Sequence, residues 1–408
     1  MKKLLYNVNN SCLLLVIIAA MIFSLSACKK ESTSTGVPVI KAVRNYVAHP
    51  GDSLLSKVGT GQWVVVSGTN LKGALHIYFD GVAASFNDAW FSDTSAIVLI
   101  PSVIAFPSVP AKTLNTINYV TTHGQTTFPF SIVPPAPTIL GVSDEDANPG
   151  DSVKVYGFNF FFIQSLTYAG LPVTSYTPSN DGTYISLAVP AGVTQTGGIV
   201  SVTTKSGIAS TVYSVHDLVD GVFQNWDGIN GYPWGCNTSN SSTDYPGNTG
   251  WYGELYATGL GAGEFSWWNG GRGVNMGGAQ WVPASDIGNS LSNYAVKFEI
   301  SVPVATSWTG GSIFVAVNYS FNHVARYRPW INSVGKITPF STTGWVTVTI
   351  PLSNFLTNNG TGTPAASISD LVGTSGNNGM NIWYINDGST PVASFAAAID
   401  NIRVVKIK

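Results

Sequence analysis

The chain has 408 residues, and only 10% of them are charged, with 19 Lys and Arg against 21 Asp and Glu. This length allows two to four domains, and the near-neutral balance excludes the basic stripe that nucleic-acid binding needs. The 43 Gly, the 12 Trp and the 12% aromatic content exclude disorder and coiled coils. They predict an all-β protein in which the positions of the Trp residues matter most.

The N-terminus has the pattern of a targeting signal. Two lysines precede an apolar run over residues 13–25, which is shorter than the roughly 20 apolar residues of a membrane span. The Leu-Ser-Ala-Cys stretch that ends at Cys28 resembles a bacterial lipobox. It predicts a lipoprotein signal peptide over residues 1–27, lipidation of the Cys28 thiol, and a polar tether over residues 28–36. Cys236 is then a lone cysteine, which favours a small buried residue over a catalytic thiol.

Two related segments follow the tether. Pro-Gly-Asp-Ser occurs at residues 50–53 and again at 149–152, and a Val-x-Gly-x-Asn pattern occurs at 66–70 and again at 155–159. Short β-branched runs between Pro, Gly, Asn and Asp turns surround both copies, as in β-sandwiches. The sequence therefore predicts an internal repeat of two small β-sandwich domains.

The repeated motifs resemble IPT/TIG immunoglobulin-like modules. The resemblance implies two spacer or interaction domains, at residues 37–133 and 134–215, with a stiff Pro-rich stretch between them. The first module contains Trp63 and Trp90, which are predicted to be packing or edge residues.

The last segment, residues 216–408, has a different composition. It holds ten of the 12 Trp, and it has strand-like runs at 313–319, 345–350 and 398–405. No long apolar face with a helical period occurs in it. These features predict one larger β-sandwich of the jelly-roll type.

Six Trp lie between Trp226 and Trp281 in stretches rich in Gly, Asn and Pro. A large sandwich needs rings in its core, so each Trp has a packing alternative. Rings on turns can instead face water, where a flat indole matches the apolar C–H face of a β-linked pyranose. Trp267 and Trp268 are adjacent, and because neighbouring strand residues point to opposite faces, one of them is expected to point outward.

The whole layout of lipobox, tandem IPT/TIG modules and C-terminal Trp-rich sandwich resembles the surface glycan-binding proteins of Bacteroidetes polysaccharide-utilisation systems. The last domain is similar to the xyloglucan-binding domain of that family. The resemblance implies a non-enzymatic protein, lipid-anchored at the cell surface in the outer membrane. Its implied partners are a polysaccharide of the β-glucan class, a glycan importer and surface hydrolases, with no nucleic acid. The resemblance does not choose among the polysaccharides.

The family binds glycan through an aromatic platform on loops of the last domain. Carried over to this chain, it implies a platform of Trp234, Trp267 and Trp268, with the further candidates Trp251, Tyr252, Trp281 and Trp330. Arg272, between glycines and close to the Trp pair, is predicted to donate to sugar hydroxyls or to stack, and the rim candidates are Asn269 and Asn275. No cofactor is expected. Asp400 lies where related jelly rolls sometimes hold a structural Ca²⁺, but one carboxylate is weak evidence for a site that needs six to eight oxygens.

Two other functions stay open. A glycoside hydrolase needs a pair of carboxylates on a cleft, and Glu254 and Glu264 lie near the Trp cluster, although no Glu-x-Asp-x-x-Glu strand is present. An adhesive or structural protein would instead bind another protein through its IPT/TIG modules. Exposed rings in the last domain favour glycan binding, whereas buried rings favour the structural alternative.

Overall fold

The computed structural model describes residues 35–231 and 233–408. The predicted signal peptide, Cys28 and residues 29–34 of the tether lie outside the described residues. The chain divides into two compact units between Val133 and Pro134. Strands dominate the described part of both units, which confirms the predicted all-β class. In these residues no helix is long and apolar enough to cross a membrane.

The described part of the first unit has one short 3-10 helix, Phe106–Ser108, and these strands: β1 (Val39–Asn45), β2 (Lys57–Gly59), β3 (Trp63–Thr69), β4 (Ala74–Phe79), β5 (Val82–Ala83), β6 (Phe86–Phe91), β7 (Ser95–Leu99), β8 (Thr116–Thr121), β9 (Gly124–Pro129) and β10 (Ser131–Val133). They form two antiparallel sheets of strand order β1-β3-β7-β6 and β5-β4-β8-β9, and β2 pairs with β10 in parallel. Burial alternates along β3, where Val64 and Val66 face the core and Trp63 faces outward. Trp63 lies on a central strand, where its ring is 38% exposed and contacts Tyr46 and Trp90. Trp90 is exposed on the edge strand β6.

The repeated Val-x-Gly-x-Asn motif has the same structural cause in both copies. A Cβ on Gly68 would lie 1.9 Å from the carbonyl oxygen of Val39, and a Cβ on Gly157 would lie 1.9 Å from that of Thr138. Two residues later the chain takes a left-handed turn at Asn70 (φ 59°) and at Asn159 (φ 62°). Glycine permits the close approach of the strands, and Asn tolerates the left-handed turn better than most residues.

The second unit begins with a second immunoglobulin-like sandwich. Its strands are β11 (Thr138–Val142), β12 (Ser152–Phe158), β13 (Ile163–Tyr168), β14 (Leu171–Pro172), β15 (Tyr176–Pro178), β16 (Tyr184–Ala188), β17 (Thr196–Gly198), β18 (Ser201–Thr204), β19 (Gly207–Ser210) and β20 (Val215–Asp217). The sheets have the orders β11-β12-β16-β15 and β14-β13-β18-β19, and β17 pairs with β20.

The C-terminal sandwich of the second unit is larger. Its strands are β21 (Val222–Gln224), β22 (Asn237–Ser239), β23 (Tyr252–Leu260), β24 (Gly273–Gln280), β25 (Tyr294–Ser301), β26 (Ser312–Val317), β27 (Ser320–Tyr327), β28 (Val346–Pro351), β29 (Asn377–Ile385) and β30 (Val392–Lys406). The helical segments are α1 (Thr357–Gly360), α2 (Ile368–Val372) and the 3-10 turns Ala284–Asp286, Leu291–Asn293, Val304–Thr306 and Leu352–Asn354. One sheet has the order β22-β23-β30-β25-β28, with β21 paired to β30, and the other has the order β24-β29-β26-β27. Leu255, Phe298 and Ile399 of the first sheet face Val274, Ile313 and Ile382 of the second across one apolar core.

The two sandwiches of the second unit share a buried ion network. Glu145, in the turn after β11, accepts hydrogen bonds from Lys297 Nζ (2.5 Å) and from Arg403 Nη2 (2.8 Å), and Arg403 Nη1 also donates to Glu299 (2.7 Å). All four side chains are buried. The domain boundary predicted near residue 215 therefore separates two sandwiches that pack into one compact unit.

Candidate functional site

The outer face of the sheet β24-β29-β26-β27 carries a second layer of rings. Along β29, Ile382 and Tyr384 point into the sandwich core, so Trp383 points to the opposite face. There the buried Trp383 ring stacks on Phe321 of β27 (5.2 Å between centroids, 29° between planes). This face is therefore an apolar base on which further rings can pack.

The segment between β23 and β24 folds over this base. Trp267 stacks on Trp383 with centroids 4.6 Å apart and planes 21° apart, and Phe265 meets Phe314 edge-on at 5.8 Å. Trp267 is half-buried as a result, while its neighbour Trp268 is 61% exposed and stands at 85° to it. The prediction that one ring of this pair points outward is consistent with this placement.

Two more exposed rings extend the surface. Trp234, 43% exposed, and Tyr319, 41% exposed, lie with centroids 6.4 Å apart and planes 22° apart, and the Trp234 indole N–H donates to the Tyr319 hydroxyl (3.2 Å). Tyr319 lies 5.7 Å from Trp267. Trp234, Tyr319, Trp267 and Trp268 thus form a continuous row, which is named the aromatic platform below. Tyr319 is absent from the sequence-predicted site.

Tyr319 is held by a two-residue hairpin turn between β26 and β27. Asn318 (φ 46°) and Tyr319 (φ 61°) are both left-handed, as the primed turns of tight hairpins require. The Tyr319 N–H donates to the side-chain oxygen of Asn381 (2.6 Å), which fixes the turn on β29. The strand-like run predicted over residues 313–319 includes both turn residues, whereas the strand ends at Val317. Asn318, which tolerates a left-handed backbone, was the signal of a turn at this point.

Trp234 is held by the buried Asn275. The Asn275 side-chain nitrogen donates to the Trp234 carbonyl (3.0 Å), and its oxygen accepts from Asn381 (3.0 Å) and from the Trp383 indole (2.7 Å). Asn275 therefore connects the backbone under Trp234 to the base of the platform. The predicted rim role of Asn275 is wrong, because the side chain is buried and its donor and acceptor atoms have protein partners.

Arg272 is also buried and does not face a ligand. It donates to Glu264 (2.9 Å), and the other Glu264 oxygen accepts from the Gly261 N–H (3.0 Å). The hydrogen bonds from Gly261 and Arg272 hold the pKa of Glu264 below its usual value. The prediction that Arg272 contacts sugar hydroxyls is wrong, and the pair instead closes the segment that carries Trp267 and Trp268.

Two further predicted rings are buried within the protein. Trp281 lies in the core between the sheets, edge-on against Phe223 (5.7 Å), and its indole donates to the Asn378 carbonyl (3.0 Å). Tyr252 is buried against Trp345 (5.5 Å) in a smaller cluster outside that core. Both predictions are wrong, because each ring is covered by protein and neither faces solvent.

Trp330 and Trp251 stand apart from the row. Trp330 is half-buried, packs against the core and donates to the Gly311 carbonyl (2.8 Å). Trp251 is 46% exposed at the start of β23, where its backbone N–H donates to Asp227 (2.9 Å). Within the described residues no platform ring stacks on either of them.

Polar groups line a depression at the hairpin that carries Tyr319. The depression has a volume of about 240 Å³ and is lined by Val317, Asn318, Ser320, Asn322, His323, Asp370, Leu371 and Asn378. Its amides, hydroxyl and carboxylate provide hydrogen-bond donors and acceptors, and Asn318 and Ser320 flank Tyr319 in the chain. An apolar row with polar groups at its edge matches a ligand that is itself amphipathic.

Both oxygens of Asp400, the calcium position suggested by sequence, have hydrogen-bond partners within the protein. One oxygen of Asp400 accepts from Asn248 (2.6 Å) and the other from the Asn401 N–H (2.7 Å). Across residues 35–231 and 233–408 no cluster of three or more His, Cys, Asp or Glu could hold a metal ion.

The C-terminal domain is a β-sandwich that presents a row of aromatic rings to solvent. Residues 216–406 match the family model described as the surface glycan-binding protein B xyloglucan binding domain, so this is the domain to which the C-terminal sandwich is similar. The predicted resemblance to Bacteroidetes surface glycan-binding proteins is confirmed.

Solved structures show the same fold. The surface glycan-binding protein PbSGBP-B from Prevotella bryantii is 22% identical with a TM-score of 0.70, and the match covers 92% of this chain and 100% of that one. An SGBP-B from a complex xyloglucan utilization locus in Bacteroides uniformis is 20% identical with a TM-score of 0.50, covering 91% and 99%. An IPT/TIG domain-containing protein of Bacteroides ovatus is 26% identical over 188 residues, 43% of this chain but only 38% of that relative.

Proposed function

We propose that this chain binds a neutral polysaccharide of the β-glucan class through the aromatic platform, without cleaving it. The observation that carries the proposal is the continuous row from Trp234 through Tyr319 and Trp267 to Trp268, of which three rings are exposed. Flat rings stack on the C–H faces of pyranose units, and the polar groups beside Tyr319 meet the equatorial hydroxyls.

The size of the platform is sufficient for useful affinity. Each ring that stacks on a flat ligand contributes about 1–3 kcal/mol, by analogy with bases on aromatic side chains. Micromolar binding needs about −8 kcal/mol. Three exposed rings together with hydrogen bonds at the edge reach that range, so an extended chain of several sugars is the natural ligand.

Xyloglucan is our first choice of glycan. Support comes from the description of the matching domain family and from the xyloglucan locus named for the Bacteroides uniformis structure. Affinity electrophoresis in gels that contain xyloglucan, mixed-linkage glucan, laminarin, mannan or xylan identifies the ligand. Retardation by xyloglucan is expected, and equal migration in all five gels would contradict glycan binding.

The mutational test uses exposed rings that lie inside and outside the row. Trp268→Ala should weaken glucan binding by about 5- to 150-fold, which corresponds to the loss of one stack. Trp251→Ala removes an equally large exposed ring away from the platform and should leave binding unchanged. Isothermal calorimetry with the retarding glycan measures both. A larger loss from Trp251→Ala than from Trp268→Ala would contradict the platform.

We also propose that the protein is not a hydrolase. Glu264 is engaged by Arg272 and Gly261, and burial raises the pKa of the Cys236 thiol to about 12, so neither group is poised as an acid or nucleophile. Reducing-sugar release from the bound glycan tests this directly, and no release above a buffer control is expected. Release that depends on Glu254 or Glu264 would support the hydrolase alternative.

We further propose that lipidation of Cys28 anchors the chain in the outer membrane, where captured glycan is passed to surface hydrolases and an importer. The lipobox-like stretch before Cys28 supports the anchor. Mass spectrometry of the purified chain should find an acylated N-terminal Cys28, and Cys28→Ala should release the protein from the membrane fraction.

A further inference from the structure

The first unit carries its own cluster of exposed aromatic rings on the outer face of the sheet β1-β3-β7-β6. Trp63 of β3 is 38% exposed, Trp90 of β6 is 49% exposed, and Tyr46, just after β1, is 56% exposed. The Trp63 ring lies 6.2 Å from Tyr46 and 5.6 Å from Trp90. These three residues are named the outer-sheet cluster below.

The strand register holds the three rings side by side. Asn45 pairs with Val64, so the next position places Tyr46 opposite Trp63, and the buried neighbours Val64 and Phe91 fix the outward direction of Trp63 and Trp90. Large exposed rings on a sheet face are unusual unless they meet a ligand or a partner. The cluster is therefore built into the sheet rather than carried on a loose loop.

The surroundings of the cluster favour an uncharged, hydroxyl-rich ligand. Arg44, on the same face one row away, pairs with Asp52 at 2.5 Å, so its charge is compensated. Within the described residues neither Trp indole N–H has a hydrogen-bond partner. Exposed Gln62 precedes Trp63, and exposed Asp88 lies two residues before Trp90. Flat apolar faces with free donors and acceptors at their edges match sugar rings and their hydroxyls.

The three rings of the cluster are not parallel. The planes of Tyr46 and Trp63 differ by 46°, and those of Trp63 and Trp90 differ by 58°. Tilted rings can stack on successive sugars only if the glycan changes direction between them. A bent segment of a neutral glucan fits this arrangement better than a straight ribbon.

We propose that the outer-sheet cluster is a second glycan-binding site, which takes a bent segment of the neutral polysaccharide that the platform also binds. This inference rests on the proposed function. Two sites on one chain hold a polymer more tightly than either alone, because the second binding event becomes intramolecular. A short oligosaccharide cannot profit from this effect.

The experiment uses the full chain and three soluble polymers, xyloglucan, mixed-linkage glucan and laminarin, in affinity gels. One pair of proteins carries the platform loss Trp234→Ala/Trp268→Ala, with and without the cluster loss Trp63→Ala/Trp90→Ala. Leu75→Ala, an exposed residue of the other sheet, is the matched control. Thermal melting checks that each variant folds. If the double variant Trp63→Ala/Trp90→Ala does not fold, the single variant Trp90→Ala, on the edge strand, is used in its place.

The chain with the platform loss should still be weakly retarded by at least one glucan, most of all by laminarin. Adding the cluster loss to that chain should remove this retardation, whereas adding Leu75→Ala should not. In the native background the cluster loss should weaken binding to that polymer about five-fold or more without changing affinity for a tetrasaccharide at the platform. Identical migration of the platform-deficient chain with and without the cluster in all three gels overturns the second site. Absence of retardation for the native chain would instead overturn the proposed function itself.

Discussion

Whether a Trp of the C-terminal domain binds or packs depends on which face of its element it occupies. The buried ones are Trp226, Trp281, Trp308, Trp345 and Trp383. Trp383 shows that burial and function are compatible, since its ring faces away from the core and supports Trp267. A flat exposed ring needs such a base, because an unsupported side chain loses conformational entropy when a ligand orders it.

Asn275 is expected to be the residue that positions Trp234. Asn275→Ala removes the side-chain donor to the Trp234 carbonyl, which keeps only the backbone N–H of residue 275 (3.2 Å). It also leaves the buried Trp383 indole N–H without its acceptor, which costs about 1–3 kcal/mol. We expect a lower free energy of unfolding in urea and weaker glucan binding together. Asn240→Ala, at an exposed position of the same domain outside the row, should change neither. Undiminished binding in Asn275→Ala would show that Trp234 is held by other contacts.

The hairpin between β26 and β27 joins a backbone requirement to a recognition residue. Its turn needs two left-handed residues, and a glycine would satisfy the second position more easily than Tyr319 does. Tyrosine there contributes its ring to the row instead. A residue that is unfavourable for its own backbone but placed on an exposed face is a reasonable sign of function.

Tyr319→Gly separates these two roles. The substitution removes a platform ring, so glucan binding should fall by about 5- to 150-fold. The free energy of unfolding should stay within about 1 kcal/mol of the native value, because the turn strain that is relieved offsets the lost ring contacts. Asn318→Gly relaxes the same turn and keeps the ring, so it should bind normally. Calorimetry and urea unfolding measure both variants, and normal binding by Tyr319→Gly would remove this residue from the platform.

The second immunoglobulin-like sandwich and the C-terminal sandwich form one compact unit, and their interface contains paired buried charges. Strand β25 is buried along its whole length, with Val296, Phe298 and Ile300 in the core and Lys297 and Glu299 on the opposite face toward Glu145. Buried charges must be paired, so each sandwich supplies partners that the other needs. The platform therefore belongs to a compact unit that is larger than its own domain.

Lys297→Met tests the network. The variant leaves Glu145 with Arg403 as its remaining ionic partner in a buried site, and the loss of one member of a buried pair costs about 3–5 kcal/mol. Lys406→Met is the matched control, since Lys406 pairs with Asp286 at the surface, where such a pair is worth about 1 kcal/mol or less. Chemical unfolding of the full chain compares the two. If both variants lower the free energy of unfolding equally, water reaches the charges at the interface and the buried network does not stabilise the unit as we infer.

The same interface predicts a pH dependence of stability. Burial, together with the charges of Glu299 and Asp151, raises the pKa of Asp144 to about 8 despite the opposing charge of Arg403, and burial also raises those of Asp146 and Asp400. A carboxyl with a raised folded pKa binds its proton more tightly in the folded state, so stability falls as pH rises from about 4 to about 8. Glu145, whose pKa is lowered by Lys297 and Arg403 against its burial, acts in the opposite direction only at lower pH.

The full chain should therefore melt at a higher temperature at pH 5 than at pH 8, as calorimetric scans at the two values will show. Asp144→Asn removes one buried charge and should raise the melting temperature at pH 8 more than at pH 5. Asp220→Asn, at an exposed position, should leave the pH difference intact. A higher melting temperature at pH 8 than at pH 5 in the native chain would contradict this reading of the interface.

The amino-acid sequence alone determined the all-β class, the repeated motif and the concentration of Trp in the last domain, because these follow from composition, strand period and turn chemistry, which are local. Only the tertiary structure decided which rings face water. Trp267 and Trp281 stand in similar Gly-rich surroundings, yet one stacks above the outer face of a sheet and the other lies between the sheets. The same holds for Tyr319, Arg272 and the outer-sheet cluster, whose roles depend on neighbours distant in sequence. Exposure is a property of packed layers, and no local pattern encodes which side of a layer remains open.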